Sequence, residues 1–306
     1  MNAAGSSCRV RVPATTANLG PGFDCLGLAL DLWNDVSFTL EGRCVAVVVE
    51  GDYAGGLPRD ENNLVAQSFL RLCEEAGKAP PAGLRIHCTV RVPTSSGLGS
   101  SSTAVAAGVL GANELLGRPF ERDRLLELAA DIEGHPDNVA AALLGGLTIV
   151  VRKGDALLTK KILVPEVNVA LAVPDLAFST ASARAGLPTQ VSMQDAVFNL
   201  GRIPLVVEAL RTGDHELLSQ VMEDKLHQAA RIKLIRGGPA AWIAAQRAGA
   251  AAVAISGSGP SLIAFVSLAA DAARIAREMA AAFEEEGVAA RPLWLAASAA
   301  GATVTR

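Results

Sequence analysis

Three features of the sequence predict an α+β chain folded as two compact domains. At 306 residues the chain buries a substantial core but stands near the size at which a single core stops growing. Its first half carries period-two and period-3.6 apolar patterns in alternation. After the apolar run at 167–173 the character changes, and long helical patterns alternate with short apolar runs. The boundary is therefore expected near residue 165, giving domains 1–165 and 166–306.

Each element follows from its own pattern. Leu84, Ile86, Cys88, Val90 and Val92 alternate with polar or small residues, which predicts a strand with one buried face. Further strands are expected at 36–40, 45–50 and 147–151. Val65, Phe69, Leu72, Cys73 and Ala76 share one face of a helix over 63–76, and Leu125, Leu128, Ala129 and Ile132 one face of a helix over 121–132. Val105, Val109, Ala112 and Leu116 predict a helix that runs to about Leu116 and is stopped by Gly117 and Pro119. In the second half, apolar runs at 251–255 and 262–266 flank a Gly-Ser-Gly-Pro turn, and the alanine-rich stretch 269–282 is a good helix former.

Composition narrows the class. Half the residues are hydrophobic, 19% are charged and the net charge is −4, which gives no electrostatic reason to expect a nucleic-acid partner. Five widely spaced cysteines without a C-x-x-C pair indicate neither a disulfide framework nor a zinc site. The charged first dozen residues carry no export signal, and no apolar run approaches the roughly 18 residues of a membrane span. No membrane partner and a cytoplasmic location are expected by default.

The segment Pro93-Thr-Ser-Ser-Gly-Leu-Gly-Ser-Ser-Ser102 joins the predicted strand 84–92 to the helix that follows. Its glycines let the backbone come close to a phosphate, and its N–H groups meet the positive end of a helix, so it suits an anion. The plain alternative is a strand-to-helix turn. No G-x-x-x-x-G-K-[ST] occurs, the third glycine of the dinucleotide fingerprint is missing, and the protein-kinase catalytic sequences are absent.

Three segments in order carry more information than this loop alone: Pro13-Ala-Thr-Thr-Ala-Asn-Leu-Gly-Pro-Gly-Phe-Asp24, the loop 93–102, and Ser256-Gly-Ser-Gly-Pro-Ser261. Together they resemble the GHMP kinase superfamily. The form of the first segment, with Glu133-Gly-His-Pro-Asp-Asn138, resembles in particular its branch that phosphorylates the side-chain hydroxyl of L-homoserine in threonine biosynthesis. The resemblance implies an N-terminal α/β nucleotide-binding domain, a ferredoxin-like C-terminal domain, ATP and Mg²⁺ as cofactors, L-homoserine as the small-molecule substrate, and a homodimer. A superfamily member acting on a mevalonate-type, sugar or shikimate-like alcohol is the nearest alternative. A sensor that kept the fold and lost the chemistry is the alternative of another kind.

The resemblance also implies roles. Asn63 and the run Pro93, Thr94, Ser95, Ser96, Gly97, Leu98, Gly99, Ser100, Ser101, Ser102 and Thr103 would hold the nucleotide, although Asn63 reads from sequence as a helix N-cap. Asp24 would pair the substrate ammonium with Asn18 beside it. Thr180, Arg184 and Arg231 would hold the carboxylate, a task that suits forked guanidinium donors. Asn138 would position the hydroxyl and His135 would line the pocket. Glu127 would ligate Mg²⁺ with Ser100, while periodicity alone puts Glu127 opposite its helix's apolar stripe. Ser100 and Ser101 both flank the helix start, so the metal-ligating hydroxyl stays open between them. No general base is assigned, because a loose phosphoryl transfer proceeds by positioning and charge neutralisation.

Overall fold

The computed structural model describes residues 5–306. Strand β1 (Ser7–Ala17) pairs antiparallel with β2 (Leu26–Thr39). Strand β3 (Val45–Glu50) follows, then helix α1 (Leu64–Glu75) crosses to β4 (Leu84–Thr89), which lies parallel to β3 and antiparallel to β2. Helices α2 (Ser100–Leu115), α3 (Arg122–Glu133) and α4 (Asp137–Leu144) come next, and the hairpin β5 (Leu147–Lys153) and β6 (Ala156–Ile162) closes the first sheet against β2.

The second half starts with β7 (Asn168–Pro174) and runs through helices α5 (Thr180–Ala185), α6 (Met193–Thr212), α7 (His215–Val221), α8 (Gln228–Arg231) and α9 (Gly238–Arg247). Strands β8 (Ala252–Ile255) and β9 (Leu262–Val266), helix α10 (Ala269–Glu285) and β10 (Ala290–Ala296) complete a sheet of order β10-β7-β9-β8, antiparallel at every pair. This is the strand order of a ferredoxin-like unit, as expected. The last strand, β11 (Thr303–Thr305), then returns to pair with β1 in the first sheet. A cut at 165 falls between the sheets, but the span 166–306 includes this strand, which joins the first sheet.

Side-chain alternation on β1 holds only for its first half. Cys8, Val10 and Val12 point into the core with Arg9 and Arg11 outward, whereas from Pro13 onward every residue is buried. The reason is a second layer: Ala14, Leu26, Leu28 and Leu30 share one apolar cluster with Val169, Leu171, Val206, Leu210 and Phe265 of the second domain. Burial on both faces replaces a period-two pattern with a continuous apolar run. The register also shifts between Pro13 and Ala14, which face Trp33 and Leu30 respectively. That irregularity places Asn34, buried inside the sheet, beside the end of β4.

The strand expected over 84–92 stops at Thr89. Beyond it, the Arg91 and Val92 N–H groups donate to Asn34 Oδ1 at 2.8 and 3.0 Å instead of to a neighbouring strand. A side chain thus takes over from the ladder and releases the chain toward the loop. Among the described residues, no helix is long and apolar enough to cross a membrane.

Candidate active site

A cleft of about 490 Å³ runs between the two domains. Its floor is the loop before α2. Gly99, the residue before the helix, has φ +69°, and an added Cβ would collide with Thr15 Oγ1. At Gly97, φ +83°, a Cβ would collide with the Ser256 carbonyl of the turn 256–261. Both positions therefore require glycine. The Ser256 hydroxyl donates to Gly97 O at 2.8 Å, fastening that second-domain turn onto the loop. No side chain caps α2 and its first turn holds no acidic residue, so its leading N–H groups stay free for an anion.

Asn34 braces this floor from behind. Besides accepting from Arg91 and Val92, it donates through Nδ2 to Thr103 Oγ1 at 2.8 Å, and Thr103 donates to Ser100 O at 2.7 Å. One buried amide thereby ties the start of the loop to the first turn of α2.

Thr94, Ser95, Ser96, Gly97, Gly99, Ser100, Ser101, Ser102 and Thr103 line the cleft. Pro93 and Leu98 are buried and absent from its lining. Pro93 O accepts the Ser96 hydroxyl and Leu98 O accepts Thr15 N–H, so both shape the loop from inside. At the far end, Val36, Val49, Leu57, Val65 and Val90 form an apolar slot. Asn63 is there too: it caps α1 by accepting from Val65 N–H at 3.0 Å and donates to Pro58 O, so it is both an N-cap and a lining residue.

Glu127 is not in the cleft. Its carboxylate accepts from Arg124 at 3.0 Å on the outward face of α3, as the helical period indicated. This corrects the expectation that Glu127 ligates metal with Ser100. The carboxylate that reaches the loop is Glu133, the last residue of α3, which accepts from the Ser102 hydroxyl at 2.8 Å and from Ser101. Gly134, φ +86°, ends the helix and leaves Glu133 aimed at the start of α2. The sequence signal was available, since Glu133 opens the Glu-Gly-His-Pro-Asp-Asn segment.

The turn after Gly134 leads into α4. His135 Nδ1 lies 3.1 Å from Asp137 Oδ1, and Asn138 N–H donates to the same oxygen at 2.8 Å. Burial alone would push the His135 imidazole down, but the Asp137 hydrogen bond and the carboxylates of Asp137, Glu133 and Asp24 hold it above its ordinary value. Asn138 Oδ1 accepts the Thr15 hydroxyl at 2.8 Å, which orients the amide N–H₂ away from Thr15.

The opposite wall carries charged side chains of both signs. Asp24 and Arg184 form a two-pronged pair, each bond 2.9 Å, that bridges the domains. Thr180 lies 3.3 Å from Ser258 in the turn 256–261. Arg231 is 1% exposed and still lines the cleft, with Nη1 donating to Gly257 O at 3.2 Å. Phe23 sits between the two guanidinium groups, 5.5 Å from Arg184 and 5.1 Å from Arg231. Asn18, at φ +71°, donates to Gly257 O at 2.6 Å and accepts from Asp24 N–H at 2.9 Å, so it holds the substrate loop to the second domain.

The donors near the loop are all oxygens, from Glu133, Ser100, Ser101 and Ser102, and the described residues contain no cluster of three or more His, Cys, Asp or Glu able to hold a metal alone. Such a set fits a hard divalent cation shared with substrate phosphates.

An anion-binding helix start, an apolar slot and a charged wall drawn from both domains define a small-molecule kinase. The family description "GHMP kinases N terminal domain" matches residues 63–146, and "GHMP kinases C terminal" matches 206–285. Homoserine kinase of Parasynechococcus marenigrum is 42% identical over 94% of this chain and 92% of its own, and that of Moorella thermoacetica 40% identical over 91% and 93%. The crystal structure of homoserine kinase from Cytophaga hutchinsonii superposes with a TM-score of 0.87 at 34% identity, covering 100% of this chain and 99% of that one. The chain belongs to the GHMP kinase family, in the group formed by the homoserine kinases.

Proposed function

We propose that this chain is an ATP-dependent homoserine kinase, transferring the γ-phosphoryl group of ATP to the side-chain hydroxyl of L-homoserine and yielding ADP and O-phospho-L-homoserine for threonine biosynthesis. The observation that carries the substrate is the wall itself: one carboxylate, Asp24, and two guanidiniums, Arg184 and Arg231, stand in one cleft with the phosphate loop. An amino acid supplies the matching ammonium and carboxylate. A mevalonate-type, sugar or shikimate-like alcohol supplies no cation to pair with Asp24.

The adenine occupies the apolar slot beside Asn63, and the phosphates lie along the loop 93–103 against the free N–H groups of α2. Glu133 and Ser100 would hold Mg²⁺, which would supply positive charge to offset that of the nucleotide phosphates. Asn138, fixed by Thr15, donates its amide to the substrate hydroxyl. His135, whose pKa the Asp137 hydrogen bond raises against the pull of burial, lines the pocket beside the reacting groups. Positioning and charge neutralisation supply the rate, so no residue is assigned as base.

The test is ADP release with L-homoserine, mevalonate, galactose and shikimate in turn, with and without Mg²⁺. The reading expects Mg²⁺-dependent turnover on L-homoserine. Turnover on a non-amino-acid alcohol alone contradicts it.

A further inference from the structure

Arg231 is the largest fully buried side chain in the protein. Among the described residues only two groups hydrogen-bond its guanidinium, the Gly257 carbonyl and the ring of His227, whose Nδ1 is 3.3 Å from Arg231 Nη1. His227 is itself without solvent exposure, and its other nitrogen, Nε2, is 2.8 Å from Gly20 O. A carbonyl oxygen only accepts, so Nε2 carries the proton and Nδ1 presents its lone pair to Arg231. The tautomer is thus set by the same loop, residues 18–24, that carries Asp24.

We propose that His227 is a positioning residue for the substrate carboxylate: as the neutral Nε2–H tautomer it aims Arg231 into the cleft and ties it to the Asp24 loop. This rests on reading Arg231 as a carboxylate ligand of L-homoserine. The ring is held on every side. Phe23 stacks on it with centroids 5.0 Å apart. Asp224 Oδ2 accepts the N–H groups of His227 and Gln228 at 2.8 and 2.7 Å, while Oδ1 accepts from Leu226 and from Asn199 of α6. Asn199 also reaches Pro21 O, so the substrate loop and the turn before α8 form one hydrogen-bonded unit.

The charged groups facing the imidazole are Asp224, 3.8 Å from Nε2, then Arg231 and Asp24. Burial pulls the His227 pKa down, and it stays below its ordinary value although Asp224 and the Gly20 carbonyl pull the other way. A second proton would place a donor and a like charge against Arg231, so acid would loosen the grip.

Amide side chains separate the two ends of the ring. His227→Asn puts an oxygen near Nδ1 and keeps an acceptor for Arg231, whereas His227→Gln reaches only toward Gly20. His227→Gln is expected to raise the KM for L-homoserine by about tenfold or more, with kcat and the KM for ATP within about twofold, and His227→Asn is expected to recover most of that rise. In the parent protein the KM for L-homoserine should climb only in acid below the ordinary histidine range, and in His227→Asn it should stay flat there. Arg231→Gln, measured alongside, separates the two ideas. If it raises that KM and His227→Gln does not, the positioning role is overturned alone; if Arg231→Gln leaves it unchanged, the underlying reading of Arg231 fails. Equal rises in both KM values, or no advantage of Asn over Gln, also overturn the proposal.

Discussion

Asp24 and Arg184, one from each domain, neutralise each other across the cleft through two bonds of 2.9 Å, both donated by Arg184. The pair is open to solvent, with side-chain exposures of 37% and 47%. An exposed pair contributes at most about 1 kcal/mol, so a zwitterionic substrate can take both partners: its ammonium replaces Arg184 at Asp24, and its carboxylate replaces Asp24 at Arg184. Arg184→Gln should therefore raise the KM for L-homoserine by about tenfold or more while moving the melting temperature by less than about 4 °C. Steady-state kinetics and a thermal scan on the same preparation check both halves.

The two glutamates of α3 make a sharper contrast. Glu133 accepts from the loop hydroxyls and Glu127 pairs with Arg124 on the far side. Glu133→Gln is expected to lower kcat by about 100-fold or more and to shift the Mg²⁺ dependence to higher concentration. Glu127→Gln should stay within about twofold of the parent enzyme.

Asn34 lines the cleft, and its amide makes three hydrogen bonds that hold the loop start and Thr103. Asn34→Leu leaves two N–H groups without that acceptor and should destabilise the fold by about 2 kcal/mol or more. At a temperature where it remains folded, its KM for ATP should rise more than its KM for L-homoserine. Urea titration and a two-substrate kinetic matrix measure these effects.

His135 gives a pH signature. Its folded-state pKa lies above the ordinary value of 6.5, so the protonated ring adds stability that is fully present below that value and is lost as pH rises through the raised one. The melting-temperature advantage of the parent over His135→Asn should be larger at pH 5.5 than at pH 8. Thermal scans at the two pH values test the sign.

Much of this arrangement was legible in the sequence. Amphipathic α1 and α3 follow their apolar periods, α2 is legible from its apolar content although it is buried nearly all round, and the loop glycines and the turn 256–261 stand out by composition. Strand β1 and most of β2 did not, because the second domain covers them and erases the alternation. Helix α4, only eight residues long, hides behind Pro136 and has no exposed face to give a period. Glu127 was carried over by resemblance against its own helical period, and the period was right about its position. His227 and Asn34 were silent because each acts through a partner far away in sequence, Gly20 and Val92 respectively.

The central claim is that Asp24 selects a substrate with an ammonium group. Its most direct test compares kcat/KM for L-homoserine with that for 4-hydroxybutyrate, which keeps the carboxylate and hydroxyl and lacks the amine, in the parent enzyme and in Asp24→Asn. The structure predicts that the preference of the parent for L-homoserine falls by about tenfold or more in the variant. An unchanged ratio, with both substrates affected alike, would contradict it.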